Sequence, residues 1–148
     1  MSTAAKVILI IGISLILLVA GVVGVGIYWW TQHGQKAIEA GGNAMKEGTE
    51  AGKKTDNQGC VDEALTRYKN DKGFGGAIST SLFVRSCLEE SRPTPGFCDD
   101  VPRATEFMKS AQWQRQKCKD AGISDQYCQQ IFSQVQQYCE QARLRKKD

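Results

Sequence analysis

An uncharged apolar stretch near the amino terminus, Val7 to Trp30, constrains this chain more than any other feature. Its 24 residues read VILIIGISLILLVAGVVGVGIYWW. At about 1.5 Å of rise per residue, a helix of this length crosses the roughly 30 Å hydrocarbon core of a bilayer. A cleaved signal peptide has a shorter apolar core, and the terminal Tyr and Trp residues favour the headgroup region. We therefore predict that residues 7–30 form a transmembrane signal anchor, not a cleaved leader.

Small residues recur inside the apolar stretch. Glycine occupies positions 12, 21, 24 and 26, and Ala20 with Gly24 makes one pair of small residues four positions apart. Small side chains let a second membrane helix approach closely. Besides contact with the lipid bilayer through Val7 to Trp30, we expect self-association through Gly12, Gly21, Gly24 and Gly26.

All six cysteines follow the apolar stretch, at Cys60, Cys87, Cys98, Cys118, Cys128 and Cys139. An even number of cysteines in a small region predicts three disulfides, which form in oxidising compartments. We therefore predict a single-pass protein of the cell membrane. Residues 1–6 form a cytoplasmic stub, and the C-terminal domain lies on the periplasmic, extracellular or lumenal side.

The cysteine spacing indicates structural bridges. The two cysteines closest in sequence, Cys118 and Cys128, are separated by nine residues. Zinc sites and thioredoxin-like motifs need closer pairs, so we expect no metal and no cofactor. Sequence alone leaves the connectivity open, but the positions of the turns favour Cys60 with Cys139, Cys87 with Cys98, and Cys118 with Cys128.

The juxtamembrane segment 31–59 allows two interpretations. Its six glycines favour a flexible spacer. Its small residues also recur at heptad spacing, which predicts a frayed helix that continues from the membrane and packs closely on a neighbour. The stripe consists of Ala37, Gly41, Ala44, Gly48, Ala51 and Thr55.

The remaining segment, 60–148, is predicted to form an all-α, disulfide-stapled bundle of about four helices. Apolar periodicity predicts helices over Cys60 to Asn70 and Phe74 to Glu90. The sequence Asp99 to Pro102 resembles a helix start, with a carboxylate cap followed by proline, and Ser124 resembles the cap of the last helix. On the third helix, the expected buried stripe consists of Val101, Ala104, Phe107, Met108, Ala111 and Cys118.

Residues suited to catalysis are scarce. His33 is the single histidine, and its place beside the anchor predicts an interfacial polar residue, not part of a triad. Asp99 and Asp100 are explained by helix capping. With 19 Lys and Arg against 16 Asp and Glu, no strong field points to nucleic acid. We therefore expect no catalytic residue, no enzymatic activity and no nucleic-acid partner.

Candidate contacts for a protein partner lie on the last two predicted helices. The nearly uncharged polar stripe on the last helix includes Gln130, Gln134 and Gln137. Trp113 falls off the expected buried stripe, and tryptophan is enriched at binding hot spots. The basic end of the chain adds Arg143 and Arg145, which suit an acidic partner or the end of a helix dipole.

These features predict a membrane-anchored interaction or accessory protein that contacts another protein in the cell envelope. The alternative is a helical module, held at the membrane, that binds a small apolar ligand. That alternative predicts an internal pocket lined by Phe83, Phe107, Met108, Ile131 and Phe132.

Overall fold

The computed structural model describes residues 3–145, without the side chains of residues 3–7, 9, 32, 33, 35 and 37. Within this range every regular element is an α-helix. The helices are α1 (Thr3–Gly52), α2 (Asn57–Asn70), α3 (Phe74–Glu90), α4 (Phe107–Asp120) and α5 (Cys128–Arg145). The chain divides into two compact units, Met1–Glu39 and Ala40–Asp148.

The described part of the first unit, residues 3–39, lies within α1. Among the described residues, Ile10–Thr31 is the one helical segment long and apolar enough to cross a membrane, and none of it is buried. This segment overlaps the predicted anchor at 7–30. The side chain of His33, like that of Lys6, lies outside the described part of the chain.

The second unit begins at Ala40, within α1, and includes the predicted domain at 60–148. Residues 31–52 are helical, so the flexible-spacer interpretation is wrong for them. Small residues of α1 pack closely on α3: Ala44 is 5% exposed, and Gly48 and Gly52 face the backbone carbonyls of Phe83 and Cys87. A helix can approach another helix this closely only where it lacks side chains.

Charged and aromatic groups also join α1, α2 and α3. The Arg67 guanidinium binds Glu47 of α1 and Glu63 of its own helix, and it stacks over the Phe83 ring at 4.0 Å. Burial alone would lower the pKa of Arg67, but the hydrogen bonds to Glu47 and Glu63 outweigh it and raise that pKa. Arg67 therefore stays charged at the junction of the three helices.

Three disulfides close the second unit, as predicted, but two of the three predicted pairings are wrong. Cys118–Cys128 is confirmed, whereas the other bridges are Cys60–Cys87 and Cys98–Cys139. The short turn at 71–73 folds α3 back along α2. The start of α2 therefore lies opposite the end of α3, with 5.7 Å between the Cα atoms of Cys60 and Cys87.

The segment between α3 and α4 differs most from the prediction. Residues 101–106 are not helical, so Pro102 does not occupy a first helical turn, and α4 begins only at Phe107. The bridge from Cys98 to α5 holds this segment against the end of that helix. Arg143 of α5 adds hydrogen bonds from Nη2 to the carbonyl oxygens of Cys98 and Val101. These tertiary contacts outweigh the local helix-start signal.

The other helix boundaries agree better with the sequence. The prediction for α3, Phe74 to Glu90, is confirmed, and α2 begins one turn early, where Asp56 caps the Gly59 amide. At the start of α5 the capping acceptor is Asp125 and not Ser124. Its Oδ1 accepts hydrogen bonds from the amides of Tyr127 and Cys128 and from the hydroxyl of the buried Tyr68.

Candidate functional site

The structure does not form the predicted apolar-ligand pocket. Phe83, Ile131 and Phe132 are buried in the packed core, whereas Phe107 and Met108 are 79% and 82% exposed at the start of α4. The expected buried stripe of the third helix is therefore wrong at these two residues and at Ala104, which is exposed and precedes α4. Polar Ser110 takes the buried position instead, because it faces a buried glutamine of α5.

The predicted glutamines of α5 do lie together on one surface. We define the glutamine face as Gln114 of α4 with Gln130, Ser133, Gln134 and Gln137 of α5. It contains two grooves of about 420 and 550 Å³, the first beside α3 and the second beside α4. Gln114 and Ser133 line both grooves, so the two grooves adjoin at these residues.

Apolar side chains border the glutamine face, and its charged neighbours are neutralised. Ile78 of α3, 42% exposed, lines the first groove, and Phe107 lines the second. Arg85 and Glu140 also line the grooves, but each is paired within its own helix, with Glu89 and Arg143. The centre of the face therefore presents amide groups that both donate and accept hydrogen bonds.

A buried hydrogen-bond network lies beneath the glutamine face, between α4 and α5. The Gln136 side chain is 6% exposed, and its Nε2 donates to the Ser110 hydroxyl at 2.6 Å and to the Pro102 carbonyl at 3.0 Å. Its Oε1 accepts a hydrogen bond from Gln114 at 3.1 Å. This network fixes α4 against α5 and orients Gln114, a residue that the sequence interpretation left out of the candidate contacts.

Trp113, the predicted aromatic contact, is not part of the glutamine face. It lies on the flank of α4 that faces α2, half-buried, with its ring edge-on to Phe132 at 5.8 Å between centroids. Its indole nitrogen is buried and has no hydrogen-bond partner among the described residues. Trp113 therefore both packs on the core and lines a different groove.

The two predicted arginines have separate environments. Arg143 is engaged inside the molecule, with Glu140 and with two backbone carbonyls, so it holds the fold and does not point to a partner. Arg145 is exposed at the end of α5. Beside Phe107, Glu106 pairs with Lys109 at 2.6 Å. That hydrogen bond lowers the pKa of Glu106 and raises the pKa of Lys109.

The described residues contain no group of three or more His, Cys, Asp or Glu side chains placed to hold a metal ion. All six cysteines are oxidised. Comparison with protein-family models, with curated proteins and with solved structures finds no match to this chain. The surfaces themselves must therefore carry any argument about function.

Proposed function

We propose that this chain is a single-pass membrane protein whose cysteine-rich domain lies on the oxidising side of the membrane and binds another protein there as an accessory subunit. One observation carries the proposal: an exposed, uncharged helix over Ile10–Thr31 is continuous in sequence with a unit in which every cysteine is paired. Apolar helices of this length suit a bilayer, and disulfides persist in oxidising compartments. Self-association through the glycines of this helix stays a prediction.

The glutamine face supports the choice of a protein partner. Protein interfaces are depleted of charge at their centre and enriched in aromatic residues, and this face pairs uncharged amides with the exposed Phe107. Removing an amide from water costs less than removing a charge, provided that its hydrogen bonds are replaced. A partner that offers backbone or side-chain amides can replace them.

Topology is tested with protease on sealed cells or spheroplasts that make the full chain with a short tag at one end. We expect the protease to remove a tag placed after Asp148 and to leave a tag placed before Met1. Alkylation before lysis then measures how many of the six cysteines are free thiols in the native protein. The opposite protection pattern, or six free thiols in the native protein, would overturn the proposed orientation.

The partner surface is tested by site-specific photo-crosslinking in the same cells. A photoreactive residue at Gln134 is expected to form one discrete adduct with another protein, and the same residue at Asn43, exposed on α1, is expected to form none. Ser133→Arg places a bulky charge where both grooves meet and should abolish the adduct, whereas Asn43→Arg should not. An adduct that survives Ser133→Arg contradicts the proposed surface.

A further inference from the structure

A second groove lies on the other side of α4, between α2 and α4. These two helices come no closer than 8 Å between Cα atoms, because both pack on α5 and not on each other. The space between them, which we call the α2–α4 groove, has a volume of about 500 Å³. Its floor is apolar, formed by Val61 and Leu65 of α2 and by Phe132 and Val135 of α5.

Two helix faces form walls of the α2–α4 groove, and residues 94–97, 100 and 101 of the segment between α3 and α4 also line it. Residues Gln58, Val61, Asp62 and Leu65 line one side, at the spacing of a single face of α2. Trp113, Lys117 and Asp120 line the other side, over two turns of α4. Each wall extends for about two turns, or roughly 10 Å. A groove of this shape fits the ridge of a third helix.

The rim of this groove is acidic. Asp62, Asp100 and Asp120 are exposed, and none of them forms an ion pair within the described residues. Against these three carboxylates the groove holds one lysine, Lys117, which also lacks a carboxylate partner within that range. Phe97 and Trp113 add aromatic rings, whose faces attract cations.

From the apolar floor, the helical walls and the net negative rim, we propose that the α2–α4 groove binds a basic amphipathic helix of a protein partner. The apolar side chains of that helix cover Leu65 and Trp113, and its Lys or Arg residues approach Asp62, Asp100 and Asp120. This site is separate from the glutamine face, since the two surfaces lie on opposite flanks of α4. The proposal therefore stands or fails independently of the function proposed above.

The test uses the full chain in a neutral detergent, with Trp29→Phe and Trp30→Phe so that Trp113 is the one remaining tryptophan. The probe is a 14-residue helical peptide (about four turns) with Leu on one face and Lys on the other. We expect a saturable change in Trp113 fluorescence. A peptide with the same Leu face and Glu in place of Lys should bind at least about tenfold more weakly, as expected for reversal of several charge contacts.

Variants that change the charge of the rim test the proposed contacts with the basic helix without changing core residues. Asp62→Asn with Asp120→Asn should weaken the Lys peptide roughly three- to tenfold, since exposed charge pairs each contribute modestly. Lys117→Glu should tighten it, and Gln134→Lys on the glutamine face should leave it unchanged. Each variant is first checked for its three disulfides. Equal affinity for both peptides, no saturable signal, or indifference to all three rim substitutions would overturn the proposal.

Discussion

The close packing of α1 on α3 makes a quantitative prediction for a single methyl group. An added Cβ at Gly48 would overlap the backbone oxygen of Phe83 and lie 3.1 Å from the Ser86 Cβ. A backbone oxygen cannot rotate away, so Gly48→Ala must push α1 off α3. Gly42 is the matched control, because it lies in the same helix and an added Cβ there meets no atom within 4 Å.

The two substitutions share the same gain in helix propensity, which cancels when their stabilities are compared. Both replace glycine by alanine inside a helix, which stabilises it by up to about 1 kcal/mol. Only Gly48→Ala adds overpacking, which costs about 1–3 kcal/mol. Gly48→Ala should therefore be less stable than Gly42→Ala by about 1–3 kcal/mol. For a unit of about 100 residues, this difference lowers Tm by at least about 4 °C for each kcal/mol.

The measurement is thermal denaturation of the full-length variants in a neutral detergent, followed by far-ultraviolet circular dichroism with the disulfides intact. Gly42→Ala should melt at or above the temperature of the parent protein, and Gly48→Ala several degrees below Gly42→Ala. Peptide mapping of the three disulfides shows that each variant has folded. If Gly48→Ala melts at the same temperature as Gly42→Ala, the close α1–α3 packing described here is refuted.

Three further predictions concern polar groups of the second unit. Burial and the hydrogen bond to Asp125 raise the pKa of Tyr68 to about 12, above its ordinary value near 10. The neutral phenol is thus favoured in the folded state, so stability that is complete below pH 10 should fall as the pH rises from about 10 to 12. Urea denaturation should show that Tyr68→Phe weakens this alkaline loss, at a cost of about 1 kcal/mol at neutral pH. Gln136→Ala breaks the buried network and should lower the free energy of unfolding by about 1–3 kcal/mol. The control is Gln137→Ala, one residue later and exposed, whose free energy of unfolding should stay within about 0.5 kcal/mol of the parent value. Equal losses for the two variants would contradict the network. Arg143→Ala removes two donors from the backbone of residues 98–101 and should speed proteolytic cleavage between α3 and α4, while Arg145→Ala should leave the cleavage rate unchanged.

Local patterns predicted the helices well where the buried side is apolar. The bounds of α3, Phe74–Glu90, agree with the apolar periodicity, and Gly122, whose φ is +71°, lies in the turn between α4 and α5. The helix over 31–52 was one of two interpretations, because glycine-rich composition does not show whether a neighbour exists. In the structure that neighbour is α3. Its Phe83 and Cys87 carbonyl oxygens lie where a side chain at Gly48 or Gly52 would have to be.

Tertiary contacts explain where the sequence interpretation was wrong. The start of α4 depends on Arg143 and on the Cys98–Cys139 bridge, both of which join residues about 40 positions apart. Phe107 and Met108 are exposed because α4 turns Ser110 toward α5, where its hydroxyl is hydrogen-bonded to Gln136. A buried polar pair of this kind leaves no apolar periodicity in the sequence. The stripe of glutamines was visible in the sequence. The α2–α4 groove was not, because it requires that two helices stay apart.

The connectivity of the cysteines has a consequence for how the chain is made. A domain that follows a membrane anchor into an oxidising compartment, starting from its anchored end, presents its cysteines in numerical order. Cys60 then meets Cys87, its native partner, but Cys98 meets Cys118 before Cys139 has arrived. With that order of emergence, native assembly requires that Cys98 stays reduced until α5 has emerged, or that thiol–disulfide exchange corrects any Cys98–Cys118 bridge. For a domain on the oxidising side proposed above, correct pairing of Cys98 would therefore depend on the thiol chemistry of that compartment as well as on the packing of its helices.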